Sequence, residues 1–125
     1  MPTASRRVRT RAQDLNLDAV RRMLEAGWPA DARGQHGGTA LHWAAFHGGT
    51  DLVRLILHFK PPLEAVDGAY NATPLFWALY GSEHGWSRQT GDYVGTVKAL
   101  LQAGAKPPTN IAGSPAVQAV LRELV

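Results

Sequence analysis

The chain has 125 residues, of which 45% are hydrophobic and 18% are charged. This composition excludes wholesale disorder, and a domain of this size buries about two-thirds of the surface that its unfolded chain exposes. Cysteine is absent, which excludes disulfides, thiolate metal sites and thiol nucleophiles. No apolar run approaches the roughly 20 residues that span a bilayer, and no apolar stretch follows the first arginines as in a secretory signal. We therefore expect one cytoplasmic domain over 1–125, without a membrane segment.

The positive charge lies at one end of the chain. Residues 1–33 hold seven arginines and four acidic residues, whereas residues 34–125 hold six basic and six acidic residues, so the first quarter carries the whole formal charge of +3. Arginines at 6–11 could neutralise phosphates, which gives an alternative function, the binding of nucleic acid or another polyanion. Residues 6–11 include no aromatic residue for base stacking, which argues against nucleic acid as the partner.

In chain order, the first amphipathic stretch covers 18–27 and ends on Gly27, a residue suited to the left-handed conformation that closes many helices. The segment 39–48 then reads TALHWAAFHG, in which the threonine can cap a helix by accepting a hydrogen bond from a backbone N–H. A second amphipathic stretch follows at 51–60, with apolar residues at the spacing of one buried helix face: Val53, Ile56 and Leu57.

The same pattern then recurs. The segment 73–82 reads TPLFWALYGS, 34 residues after its counterpart, and its proline stands at the first helical position, where no N–H is required. A third amphipathic stretch covers 92–104 and ends on Gly104. Each unit is thus a helix, a turn and a second helix, and it must stack on neighbouring units to bury its apolar face.

These segments resemble the ankyrin repeat, which has a period of about 33 residues and a T-P-L-H-x-A hallmark. The resemblance implies an all-α, helix–turn–helix solenoid that forms one ankyrin-repeat domain. Two full repeats are expected at 34–66 and 67–108, between a degenerate N-terminal repeat at 6–33 and a C-terminal capping helix within 109–125. By register, residues 6–13 should form the first helix of the N-terminal repeat.

The resemblance also gives meaning to two departures from the hallmark. It implies that His42 makes a structural hydrogen bond to a neighbouring turn, and that Phe76, at the equivalent position, has lost this bond. Asn71 stands where the turn usually has glycine, and asparagine tolerates the left-handed region, so we expect the turn to survive.

The largest departure is an insertion between the two helices of the second full repeat. Leu41 and Val53 are 12 positions apart, but the equivalent Leu75 and Val97 are 22 apart. The ten extra residues include glycine, serine and mixed charges, and we expect them to form a surface loop at about 82–91 rather than a helix.

The C-terminal residues predict a closing amphipathic helix. Gly113, Ser114 and Pro115 repeat the pattern that begins the earlier units. One apolar face follows, and its expected members are Val117, Val120, Leu121 and Leu124.

No pattern in the chain predicts catalysis, a metal or a cofactor. His42 and His47 are five positions apart, so they do not share a helix face as a metal-binding pair would. The consecutive residues 82–84 (Ser-Glu-His) cannot orient one another as a catalytic triad. Nucleotide-binding and hydrolase motifs are absent from the sequence. We expect a protein that is not an enzyme, although a terminal array belonging to a longer, catalytic protein stays open.

The resemblance implies recognition of another protein by a rigid surface made of the concave helix face, the turn tips and the inserted loop. Phe46 and Tyr80 occupy equivalent positions on that face. Trp43 and Trp77 are also equivalent, and they either face the groove or pack between helices. Trp86 either anchors an interface or folds back over its own repeat. The expected partner-binding residues of this monomer are Gln35, His36, Phe46, His47, Tyr70, Tyr80, Trp86 and Arg88.

Overall fold

The computed structural model describes residues 18–124, which form helices and no strand, so the all-α prediction is confirmed. The helices are α1 at 18–25, α2 at Ala40–Phe46, α3 at Thr50–His58, α4 at Pro74–His84, α5 at Tyr93–Gln102 and α6 at Pro115–Leu124. A short 3₁₀ turn covers Gln35–Gly37. None of the helices in 18–124 has the length and apolar character that crossing a membrane requires. The helix predicted at 6–13 lies outside the described residues.

The first helix of each full repeat, α2 or α4, is called its inner helix here. Each of the two begins at a threonine cap, as predicted. The Thr39 side chain accepts a hydrogen bond from the backbone N–H of His42, and the His42 side chain accepts one from the backbone N–H of Thr39. The Thr73 side chain caps α4 by accepting from the backbone N–H of Phe76, without a reciprocal side-chain bond, and Pro74 lies in the first turn. Such caps satisfy backbone donors that a helix start leaves without partners, and each stabilises its helix by about 1 kcal/mol.

The helices pack in two layers around one core. α2 contacts α4 in one layer, α3 contacts α5 in the other, and each inner helix packs on the outer helix that follows it. The core between the layers contains fully buried aliphatic side chains, among them Leu41, Val53, Ile56, Val97 and Leu100. Burial of each such side chain stabilises the fold by about 1.5–3 kcal/mol, so the stacking of units holds the domain together.

The turns between helices use the conformations that the sequence predicted. Gly27 and Gly104 have φ of 98° and 111°, in the left-handed region that closes helices. Asn71 has φ of 54°, so asparagine does replace glycine in that turn.

The predicted surface loop begins later than expected, because α4 continues to His84. α4 has 11 residues against 7 for α2, so the prediction of a loop is wrong for residues 82–84. Two residues of this extension bind the turn before α6: Ser82 Oγ accepts from the backbone N–H of Ser114 at 2.9 Å, and Glu83 Oε1 accepts from that of Gly113 at 3.2 Å. These long-range bonds outweigh the poor helix propensity of glycine and serine there.

The closing helix α6 packs against α5 with one apolar face. Val117, Val120 and Leu121 are buried, as predicted. Leu124 was also predicted on this face, but its side chain is 52% exposed because it is the last helical residue, beyond the packed part of the face.

Candidate functional site

A groove of about 490 Å³ opens along α2 and α4, and every residue that lines it carries an aromatic ring. Two of its residues come from turn tips, five from the two helices and one from the inserted segment. We call this set the aromatic groove: His36, Trp43, Phe46, Tyr70, Phe76, Trp77, Tyr80 and Trp86.

Trp77 is the central ring of the groove. Its side chain is only 6% exposed. It makes edge-to-face contacts with Trp43 at a centroid distance of 4.9 Å, with Phe46 at 6.0 Å and with Tyr70 at 6.4 Å. Aromatic pairs favour this geometry, and each contributes about 0.5–1.5 kcal/mol beyond its buried area. The surrounding rings therefore stand as walls at steep angles to the Trp77 floor.

Asp67 fixes both the floor and one wall of the groove. The Trp77 indole N–H donates to Asp67 Oδ1 at 2.8 Å, and the backbone N–H of Ala72 donates to the same oxygen at 2.9 Å. The backbone N–H groups of Ala69 and Tyr70 donate to Oδ2. One carboxylate thus holds the indole of α4 and the whole turn that carries Tyr70.

The pKa of Asp67 reflects these bonds. The carboxyl is 2% exposed, and burial by itself raises its pKa. Hydrogen bonds from Trp77 and from the backbone of the turn outweigh burial, and they lower the pKa from 3.8 to about 2. Asp67 is therefore ionised at neutral pH. Sequence reasoning missed this residue, although the Asp67-Gly68 pair is a turn signal.

The two turn tips are joined to each other. The backbone N–H groups of Gly68 and Ala69 donate to the His36 carbonyl at 2.9 and 3.1 Å. The His36 ring lies 5.9 Å from that of Trp43 and 6.4 Å from that of Tyr70. Successive turns therefore form one continuous edge of the groove.

The inserted segment forms the opposite wall. Trp86 is 80% exposed, and its ring contacts Phe46 at 5.8 Å and His47 at 5.9 Å. His47 Nδ1 also forms a hydrogen bond of 3.0 Å with Ser87 Oγ, and burial lowers the pKa of His47. The segment therefore reaches back to α2 of the preceding unit and does not fold over its own.

His42 makes the structural bond that the resemblance implied. Its Nδ1 accepts from the backbone N–H of Thr39 at 3.0 Å, and its Nε2 donates to the carbonyl of Ala72 at 2.8 Å. This pattern requires the neutral ring with its proton on Nε2. Burial lowers the pKa of His42, in agreement with the neutral form.

Five of the eight predicted binding residues line the groove: His36, Phe46, Tyr70, Tyr80 and Trp86. His47 lies beside the groove, where its ring contacts those of Trp43, Phe46 and Trp86. Arg88 is exposed and its guanidinium donates to the Gly85 carbonyl at 3.2 Å, and it is not among the lining residues. The side chain of Gln35 is outside what the structure describes.

Three lining residues were not among the predicted binding residues. Trp77 belongs to the core because it is buried, and it also forms the floor of the groove. Trp43 lines the groove beside it and is partly buried. Phe76 was read only as a lost hallmark histidine, yet its side chain is 51% exposed on the groove. The available signal was a large apolar residue at a position released from its structural bond.

Stacked helix–turn–helix units, with capped inner helices and joined turn tips, define an ankyrin-repeat domain, a class that typically serves in protein interaction. The family model of ankyrin repeats (three copies) matches residues 10–111, so the chain belongs to the ankyrin-repeat family. Within 18–124, no group of three or more histidine and carboxylate side chains is placed to hold a metal ion.

The chain is similar to parts of several larger proteins. It is 38% identical over 88 residues to Palmitoyltransferase Hip14 of Drosophila melanogaster, across 70% of this chain and 12% of that protein. It is 30% identical over 91 residues to Putative palmitoyltransferase ZDHHC13 of Danio rerio, and 31% identical over 90 residues to Palmitoyltransferase ZDHHC17 of Homo sapiens, each across 13% of the relative. The chain thus spans about an eighth of the length of the curated relatives it matches.

Proposed function

We propose that this domain is a non-catalytic, monomeric protein-interaction module that binds a segment of another protein in the aromatic groove. The observation that carries the proposal is the exposure of large rings on one face: 70% for Tyr70, 51% for Phe76, 52% for Tyr80 and 80% for Trp86. Contiguous apolar patches of this kind mark interaction sites. Aromatic residues also dominate the energetics of protein interfaces.

Preorganisation of the groove supports the same function. Asp67 fixes the floor and the Tyr70 turn, and the contacts of Trp86 with Phe46 and His47 hold the outer wall. A surface that is already ordered loses less conformational entropy on binding, so more of the contact energy appears as affinity.

Although its relatives are named as palmitoyltransferases, we propose that this chain binds a partner and does not itself catalyse a reaction. The groove offers π faces, and its lining includes no serine, threonine, lysine or carboxylate. We propose that the repeat units at 34–66 and 67–108 jointly build the binding surface, and that any transfer activity of such a protein resides outside these residues.

The test is the selection of peptides from a random library displayed on phage, with the chain as bait. The selected peptides are then titrated against the double variant Phe46→Ala/Tyr80→Ala, and we expect a loss of affinity of at least about 30-fold, since two central aromatics are removed. The matched control is Leu124→Ala, which removes from α6 an apolar side chain that is as exposed as Tyr80, at 52%.

Circular dichroism establishes that each variant is folded before its affinities are compared. Equal binding of the selected peptides to the folded double variant would overturn the proposed surface.

A further inference from the structure

The electrostatics of the aromatic groove favour a cation. None of its lining residues is a lysine, arginine, aspartate or glutamate, so π faces dominate the surface that a ligand meets. The face of an aromatic ring carries negative potential, and a cation over tryptophan, tyrosine or phenylalanine is attracted to it. The walls stand steeply to the Trp77 floor, so several faces can surround one group.

A buried negative charge lies at the edge of the Trp77 ring that forms the floor. Asp67 is hydrogen-bonded to the Trp77 indole N–H at 2.8 Å, and donation to a carboxylate pushes electron density onto the ring. In the part of the chain that the structure describes, the ion pairs link Asp18 with Arg21 and Arg22, and Asp67 is in neither. Arg33 donates to the carbonyl of Val66, the residue before Asp67, but it does not line the groove. Asp67 is thus the charged side chain that is bonded directly to the groove floor.

The kind of cation follows from hydrogen bonding. A primary ammonium or a guanidinium brings N–H donors, and each donor that loses its water without gaining an acceptor weakens binding. The Asp67 oxygens already accept four N–H bonds, so they offer little to a ligand. Among the lining side chains, the acceptors are the hydroxyls of Tyr70 and Tyr80 and the ring of His36, so a group with several N–H donors meets mostly ring faces. A quaternary ammonium carries positive charge and no N–H group, which suits this surface.

We propose that the aromatic groove recognises a quaternary ammonium group, presented by a partner protein as trimethyllysine. This inference rests on the proposed function, because it names the chemistry of the segment that the groove binds. A peptide is the source because the rim rings of Tyr70 and Trp86 are 70% and 80% exposed. A free ammonium ion would leave most of that rim in water, whereas flanking peptide residues would cover it.

The test compares three forms of one probe, the peptide acetyl-Ala-Ala-Lys-Ala-Ala-amide. The lysine is unmodified, trimethylated, or replaced by the neutral isostere in which a carbon atom takes the place of the quaternary nitrogen. Binding is followed by NMR titration of the tryptophan indole signals. We expect the trimethylated peptide to bind about 10-fold more tightly than the neutral isostere, and also more tightly than unmodified lysine. Equal binding of the charged and neutral forms, or no binding of the trimethylated form, would overturn the inference.

Two variants test whether the rings supply the preference. Tyr70→Leu and Trp86→Leu keep apolar surface but remove a π face, and each should reduce the advantage of the trimethylated peptide over its isostere. Trp28→Leu is the matched control, since Trp28 is 55% exposed and lies outside the groove. An equal reduction in Trp28→Leu would overturn the assignment to the groove.

Free tetramethylammonium distinguishes the source of the group, because binding as tight as that of the trimethylated peptide would overturn recognition on a protein segment. Different results would overturn the inference and the proposed function. If library peptides bind through Phe46 and Tyr80 but the charged probe has no advantage, only the inference is wrong. If binding of library peptides does not depend on those residues, the proposed function is wrong as well.

Discussion

At the scale of single residues, Asp67 stabilises both a turn of the fold and the floor of the groove. Its two oxygens accept four N–H bonds, from the Trp77 indole and from three backbone groups of one turn. Asp67→Asn replaces one acceptor oxygen by an N–H₂ donor, which leaves N–H groups of the turn without a partner. We expect the free energy of unfolding in urea to fall by about 3 kcal/mol.

The control for this substitution is Asp31→Asn, at an exposed aspartate near the preceding turn, which should change stability by less than about 0.5 kcal/mol. A similar small loss in both variants would show that the four bonds do not stabilise the turn.

The lowered pKa of Asp67 also predicts how stability depends on pH. The folded-state pKa is about 2 against 3.8 for the free group, so its contribution is fully present above about pH 4. As the pH falls from 4 to 2, the unfolded chain takes up the proton first, and about 2 kcal/mol of stability is lost. Urea unfolding at several pH values should show this loss in the wild type but not in Asp67→Asn. If the free energy of unfolding falls equally with pH in the two proteins, the loss does not come from protonation of Asp67.

At the scale of elements, the hallmark position differs between the two full units. His42 is fully buried between Thr39 and Ala72, whereas Phe76, its equivalent, is half exposed on the groove. In the second unit the turn before α6 is bound instead by Ser82 and Glu83 of the α4 extension. The longer helix thus replaces the missing histidine bond.

A pair of opposite substitutions tests this difference. His42→Phe leaves the N–H of Thr39 and the carbonyl of Ala72 without side-chain partners, so we expect a loss of about 2–4 kcal/mol in urea unfolding. Phe76→His, at an exposed site with no bond to make, should change stability by less than about 1 kcal/mol. Equal losses in the two variants would show that the hallmark position has the same role in both units.

The elements also show what could be predicted from sequence. Caps, buried faces and left-handed turn residues depend on local spacing, and the structure confirms them at Thr39, Thr73 and Asn71. The extension of α4 depends on bonds to residues 30 or more positions away, which no local pattern contains. Gly81 lies within the extended helix, and a Cβ there would lie 2.3 Å from the Phe46 carbonyl oxygen, so glycine permits the close approach of α2 and α4.

At the scale of the whole molecule, the groove combines three sources of rings that are far apart in sequence: turn tips, inner helices and the inserted segment. The repeat register places Phe46 and Tyr80 on one face, so these could be predicted. The register does not assign Phe76 to a wall or choose between the groove and the core for Trp77, because both depend on how α2, α4 and the Asp67 turn pack together. The arginine-rich end at 6–11 lies outside the described residues, and polyanion binding there stays a prediction.

At this scale, the double variant Phe46→Ala/Tyr80→Ala tests whether the two full repeats bind peptide with one shared surface. The two residues come from different units, and both are on the surface of the groove, where they are partly buried or exposed. Their removal should therefore leave the stacked core intact while it weakens peptide binding. A double variant that unfolds would instead assign the rings to stability, and single substitutions would then separate the two roles.

The most direct test of the central claim, that the aromatic groove is the binding surface, is an NMR titration that follows the four tryptophan indole N–H signals. Trp43, Trp77 and Trp86 line the groove, while Trp28 lies outside it and serves as an internal reference. With a peptide selected from the library, the three groove signals should shift and saturate together, and the Trp28 signal should stay in place. Saturable binding that leaves the groove signals unmoved, or that shifts Trp28 alone, would contradict the account.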